Sequence, residues 1–435
     1  MRLRYFLLLL IPFAALQIDA QILKSNGSII QISAGGTIFC NGGISLSNST
    51  QFTNNGQLTA TKNSILPQAG DFNFASNSTV AGNGEYQIEQ NWINDANFSG
   101  GTSEVILFGN TEQFITSTNG TVTTFNDLTL SGAGVGINRR KTLSNVNSGT
   151  GSMGVLQINN RELATENQSF EVANPSTSAI LYDNTFGSEG FVSSIGGGYL
   201  VRNTNQTNAY FFPLGSATGT YRFRPIVLTP TNASNNSFNA RLNNYNADND
   251  GFFLAQHEAV IDQAQTLFYH SIERSSGAAG ADIQIYFIPA SDGDWLSAAH
   301  WLPTDTEWKD LTNTNMLGTS NFSIVEKTAW GFNKPGHPYV LVKNIEGSLV
   351  IPNVFTPNND GANDEFSITS SNLTDYQLII LNRWGNLMFE SNDPANSWDG
   401  TSDGKACPDG TYFYLLKAKM GSQEILKQGH LTLSQ

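Results

Sequence analysis

From residue 22 to about 165, apolar and polar residues alternate in short bursts, and each burst ends in an Asn-Gly cluster. Gly36-Thr37-Ile38-Phe39 runs into Asn41-Gly42-Gly43, and Gln51-Phe52-Thr53 into Asn54-Asn55-Gly56. Ala81-Gly82-Asn83-Gly84 and Thr123 to Leu130 repeat the theme. A period of two puts neighbouring side chains on opposite faces of a strand. Asn and Gly tolerate positive φ, so the clusters mark tight corners. Strands this short suit a parallel β-solenoid, in which each coil covers the next, or a set of hairpins in a sandwich. The density of corners favours the solenoid over residues 21–168.

Residues 169–345 change character. Tyr199 to Arg202, Ala209 to Pro213, Tyr221 to Leu228 and Asp282 to Phe287 read as longer, more aromatic strands, which predicts a β-sandwich. One short helix is expected between Ala255 and Leu267. A linker at 344–352 leads to a last domain over 346–435. Its strands lie near Tyr376–Leu381, Leu387–Glu390, Thr411–Lys419 and Leu431–Leu433, with Asn382 to Asn386 as a hairpin turn. The fold class expected is therefore all-β: a solenoid-like repeat region, a middle sandwich, and a small antiparallel immunoglobulin-like sandwich.

Residues 1–20 interrupt this pattern. Arg2 and Arg4 precede an apolar run, Tyr5 to Leu16, that is too short to span a bilayer. Ala20 suits the last position of a leader, so a secretory signal peptide cleaved before Gln21 is expected. Gln21 is not Cys, which gives no support for a lipoprotein leader.

Composition agrees with export. Charged residues are 13% of the chain, against roughly 25% in soluble domains. Ser, Thr, Asn and Gln must then supply the polar surface. The net charge of −14 argues against nucleic acid as a partner. Arg139-Arg140-Lys141, the densest basic run, reads as a solvated turn. Cys40 and Cys407 fall in different domains, and their separation argues against a disulfide.

The last domain carries five blocks of recognisable sequence. They are Val354 to Phe366 (with Phe355, Thr356, Pro357, Asn358, Asp360, Gly361, Asn363, Asp364 and Phe366), Asn382-Arg383-Trp384-Gly385, Trp398-Asp399-Gly400, Pro408 to Tyr414 (with Gly410, Tyr412 and Tyr414), and Gly429 onward. In order and spacing they resemble the gliding motility-associated C-terminal domain, the type B sorting domain of the type IX secretion system. Asn359 departs from the family, which often has Gly there. The resemblance implies two-step export to the medium or the outer-membrane surface. It implies as partners the type IX machinery and its outer-membrane component for type B cargo. Read as residues alone, Trp384 and Trp398 are large enough to anchor a small core, and Tyr412 and Tyr414 share one strand face.

Candidate chemistry is sparse. Asn358, Asp360, Asn363 and Asp364 gather oxygens around Gly361, a possible calcium set, although Ser367 stands where an EF-hand has its bidentate Glu. Asp248-Asn249-Asp250-Gly251 makes a weaker case of the same kind. Gly132-Ala133-Gly134-Val135-Gly136 lacks a third dinucleotide-binding glycine, because Ile137 takes its place. The histidines His257, His270, His300, His337 and His430 have no ligand spacing, and His300 reads as packed beside Trp301. Between 22 and 165 the closest acids are Glu85 and Glu89, which read as surface residues, although stacked coils can bring distant acids together. Trp92 to Gly109 is weakly similar to degenerate repeats of bacterial surface adhesins. No catalytic residue is nominated. The expected function is non-enzymatic surface adhesion with a glycan or protein ligand. A passive stalk and a secreted glycan-active enzyme are the alternatives.

Overall fold

The computed structural model describes residues 19–20, 22–63, 70–301, 304, 306–312, 314–332, 337–344, 349–370, 373–420 and 423–434. Most of the leader and part of the expected linker thus lie outside the described residues.

The alternating segments wind into a three-faced parallel β-solenoid. Its first face runs from Asp19–Ala20 to Ile180–Tyr182 and its second from Leu23–Asn26 to Phe191–Ser193. Each is an eight-stranded sheet in which successive coils are neighbours. Leu58, Tyr86, Val105 and Leu128 stack in register along the first face and are fully buried. Trp92 on the second face packs between Phe72 and Phe74, with ring centroids at 5.0 and 5.2 Å. Each such side chain contributes roughly 1.5–3 kcal/mol by leaving water.

The Asn-Gly clusters make the corners. Asn54 points inward, donates to Glu85 O at 2.9 Å and accepts from Gly56 N at 3.0 Å. Gly36, Gly56 and Gly84 stack at successive corners. A β-carbon on Gly56 would lie 2.1 Å from the Gly36 carbonyl oxygen, and one on Gly84 2.4 Å from that of Gly56. Only glycine allows coils to stack this closely there.

The solenoid does not stop at residue 168. Parallel pairing continues through Phe170–Val172 and Leu200–Thr204 on the third face. Leu200–Thr204 then pairs antiparallel with Asn236–Asn243, so the solenoid face becomes the first sheet of the sandwich without a break. One hydrophobic core runs through both. The change at 169 is therefore a change of composition and not a domain boundary. This junction also covers the last coil, whose open edges would otherwise invite aggregation. Its second face is closed by a bridge from Val192 to Leu214, and Tyr182 of its first face stacks on Phe211 at 5.1 Å.

The second sheet of the sandwich orders Tyr210–Phe212, Ile226–Pro230, Ala281–Phe287, Ser323–Trp330 and Thr314–Gly318. Tyr221 to Leu228 is split, because Arg224 leaves the strand for a buried two-point ion pair with Asp292. The expected helix at 255–267 is absent. Ile261–Ala264 instead pairs with His337–Asn344, and Ile261 alone of the four is buried.

Two further expectations are corrected. Arg139-Arg140-Lys141 is not a solvated turn: Arg140 is 7% exposed and Lys141 0%. Arg140 pairs with Glu162 at 3.0 Å and donates to Thr218 from a loop of the sandwich. His300 packs on Trp330 and Tyr339, whereas Trp301 packs on Trp308. Adjacent residues of one strand face opposite ways, so the two cannot be a packed pair. Cys40 and Cys407 form no disulfide, and burial pushes the Cys40 thiol up to about 11.

Candidate functional site

The C-terminal domain has its own core, built from the quoted blocks. A five-stranded sheet orders Val354–Phe355, Gln423–Leu433, Gly410–Met420, Leu373–Leu381 and Leu387–Ser391. Phe355 and Tyr412 pack on Trp398 at 5.3 and 5.0 Å, and Phe366 and Trp398 exchange backbone hydrogen bonds at 2.8 and 3.1 Å. Trp398 Nε1 donates to Thr401 O at 2.7 Å. Asp399 accepts from both the amide and the hydroxyl of Thr401, which fixes the turn at Gly400 (φ 78°). Tyr412 Oη donates to Pro408 O at 2.7 Å. Tyr414 shares the inner face with Tyr412 and lies across the ladder from Gly429, where a β-carbon would fall 2.6 Å from the Tyr414 hydroxyl.

The first block is a self-bonded loop. Thr356 N donates to Asn363 O at 2.7 Å. Asp364 accepts from Asn359 N at 2.6 Å and from Gly361 N at 2.8 Å, Asp360 from Ala362 N, and Asn358 from Asp360 N. The side-chain oxygens of Asn358, Asp360 and Asp364 thus cap amides of their own turn, and Asn363 joins the loop through its backbone carbonyl. Asp248 and Asp250 likewise serve Leu254 N and the hydroxyls of Tyr245 and Tyr269. Trp384 departs from expectation. It is 79% exposed, at the hairpin tip that Asn382 closes by accepting from Trp384 N and Asn386 N. Only Trp398 anchors the core.

Residues 349–433 match the CHU_C type IX secretion signal domain. The chain is a type IX secretion cargo. The secretion signal domain sends it to the cell surface or the medium through contact with the secretion machinery. No curated protein and no solved structure gives a significant match.

What the secretion signal domain delivers is the solenoid with its sandwich cap. Register on the first face brings together acids that are distant in sequence. Gln57, Glu85, Glu104 and Asp127 occupy one outward row on successive coils. Each acid is engaged separately: Glu85 accepts from Gln57 at 2.9 Å, Glu104 from Thr129 at 2.6 Å, and Asp127 from Val155 N at 2.8 Å. Glu89 turns away at the corner to accept from Lys62 N. Among the described residues no group of three or more His, Cys, Asp or Glu is placed to hold a metal ion.

The third face has a different feature. Its two sheets are interrupted between Asn97–Ser99 and Thr123–Phe125. The cause is the long corner 117–122. Asp95 holds this corner out, accepting from Ser117 Oγ at 2.9 Å and Thr118 Oγ1 at 2.6 Å, while Asn119 Nδ2 donates to the Asp95 carbonyl at 2.8 Å. Burial raises the Asp95 carboxyl, but the bonds it accepts from Thr118, from Ser117 Oγ and from Asn119 N outweigh this and hold the group below the usual carboxylate range. In place of a backbone ladder, Trp92 Nε1 and Asn94 Nδ2 both donate to Thr123 Oγ1, at 3.2 and 2.8 Å. A groove of about 590 Å³ lies along the break. No residue spacing announced it, because it depends on which strands of successive coils fail to pair.

Proposed function

We propose that this exported chain is a non-enzymatic surface-binding protein whose solenoid makes the contact. The leader is removed before Gln21, and the type B route then delivers the folded chain through its outer-membrane component. Cleavage there also removes Asp19–Ala20, which lie beside Phe39 and Cys40 in the chain with its leader. The observation that carries the reading is the character of the third face. Gln51, Thr79 and Asn97 form one outward row on consecutive coils, with amides and a hydroxyl in place of charges. Extended solenoid faces of this kind suit a long ligand. Support against an enzyme is the separate engagement of Glu85, Glu104 and Asp127. Acid–base hydrolysis needs two carboxyl groups facing each other across a cleft, and these acids lie along one open row. A strain lacking the gene, compared with its complemented parent for attachment to abiotic and cellular surfaces, tests the reading. Reduced attachment restored by complementation is expected, and unchanged attachment counts against it.

A further inference from the structure

We propose that the groove between Asn97–Ser99 and Thr123–Phe125 binds a neutral glycan chain. The inference rests on the surface-binding reading and names its site and ligand class. Three features of the groove point the same way.

The first is the break in the sheet. Between Asn97–Ser99 and Thr123–Phe125 the backbone ladder of the third face is missing, which leaves a recess of about 590 Å³. Its walls come from three successive coils, so an extended ligand can lie along them.

The second is the chemistry of the walls. Thr79, Asn97 and Thr124 are exposed and present hydroxyl and amide groups, which donate and accept equally well. Sugar hydroxyls need partners of both kinds. Phe98 and the 54% exposed Val122 add apolar surface for the C–H face of a sugar ring.

The third is charge. No Lys or Arg lines the groove, and its one ionisable group, Asp95, is held as a carboxylate and engaged by the corner it supports. With a net charge of −14 on the chain, an anionic glycan or a phosphate would be repelled. The volume falls within the roughly 300–1,000 Å³ of small-ligand sites, and the groove is open along one side, as a chain ligand requires.

The test is calorimetric titration of the mature chain with neutral linear tetrasaccharides of glucose, mannose and N-acetylglucosamine. A sulfated heparan tetrasaccharide and an uncharged decapeptide are run beside them. Asn97→Arg and Thr124→Arg, both at exposed positions, fill the groove, and their melting curves establish that they fold. Binding of at least one neutral tetrasaccharide is expected, weakened tenfold or more in both variants, with no heat from the sulfated sugar. Binding of none of the neutral sugars, binding that both variants retain, or binding of the decapeptide alone overturns the glycan site. The attachment assay separates the two levels. If the arginine variants restore attachment to the deletion strain as the parent does, the groove is wrong and surface binding stands. If deletion itself leaves attachment unchanged, the broader reading fails.

Discussion

The guanidinium of Arg202 lies 5.2 Å from the ring centre of Tyr210, and it ties the last coil of the solenoid to the first strand of the sandwich's second sheet. Its Nη1 donates to Phe211 O at 2.8 Å and its Nη2 to Ser176 O at 2.9 Å. Arg202 is fully buried and has no carboxylate among its bonded partners. Burial pulls it down to about 10, against the opposing influence of Tyr210, and it is still cationic at neutral pH. The carbonyls of Phe211, Ser176 and Thr177 and the ring faces of Tyr210 and Phe212 thus hold one buried charge at the junction.

Arg202→Ala removes these bonds and leaves a cavity. We expect a loss of at least about 3 kcal/mol, since each orphaned buried carbonyl alone costs roughly 1–3 kcal/mol. Because one core spans solenoid and sandwich, scanning calorimetry should show their shared transition moving down as a single peak. A split into two peaks would mean that the parts fold separately.

The secretion signal domain should respond separately. Trp398 is fully buried among Phe355 and Tyr412. Trp398→Ala is expected to cost about 3–5 kcal/mol, whereas Trp384→Ala should stay within about 0.5 kcal/mol because that ring is in solvent. Urea titration of the two variants, followed by far-UV circular dichroism, gives the comparison. Equal losses would refute the placement of Trp384.

Gly429→Ala places a methyl group against Tyr414. Overpacking of this kind costs typically 1–3 kcal/mol, here toward the low end because the Tyr414 ring is only half-buried and has room to shift. The expected outcome is a lower midpoint for the signal domain with the solenoid transition unmoved.

Stability should rise with pH across a wide range. His270 is buried, donates from Nε2 to Arg224 O at 2.8 Å, and lies near the Arg224–Asp292 pair. Burial pushes its imidazole down to about 4. The unfolded chain therefore takes up a proton near pH 6.5 that the native chain refuses until about pH 4. Stability falls through this window as acid is added, by on the order of 3 kcal/mol in all. Lys141, inside the solenoid, donates to Gly109 O at 2.9 Å. Burial first, and then the charge of Arg161, bring it down to about 7. Its contribution has the same sign between pH 10.5 and 7. Melting midpoints should climb from pH 5 to pH 9, and His270→Asn should flatten the acidic part. A midpoint that falls over this range would contradict both assignments.

Much of this was legible in the chain. Alternation in segments such as Thr37 to Asn41 marks strands, and the Asn-Gly corners mark coils, because backbone geometry is local. The secretion blocks were legible because turn residues such as Gly400 and Asp399 are required one by one. Long-range facts were not. The acid row Glu85–Glu104–Asp127 depends on register, and the burial of Arg140 depends on a loop 78 residues away. Trp384 and Trp398 are alike in sequence and opposite in exposure, since only the second lies under the sheet. The solenoid's continuation to Thr204 was hidden because its last coils, with Phe170, Tyr182 and Phe191, already carry the sandwich's aromatic composition on strands of three residues.

The most direct test asks where the chain goes. In a bacterium with a type IX system, the full chain and a version ending at Asn344 would be expressed and traced by immunoblot of periplasm, outer membrane and medium. The account predicts the full chain outside the cell, beginning at Gln21, and the shortened chain held in the periplasm with its solenoid folded. Equal appearance of both outside the cell would contradict it.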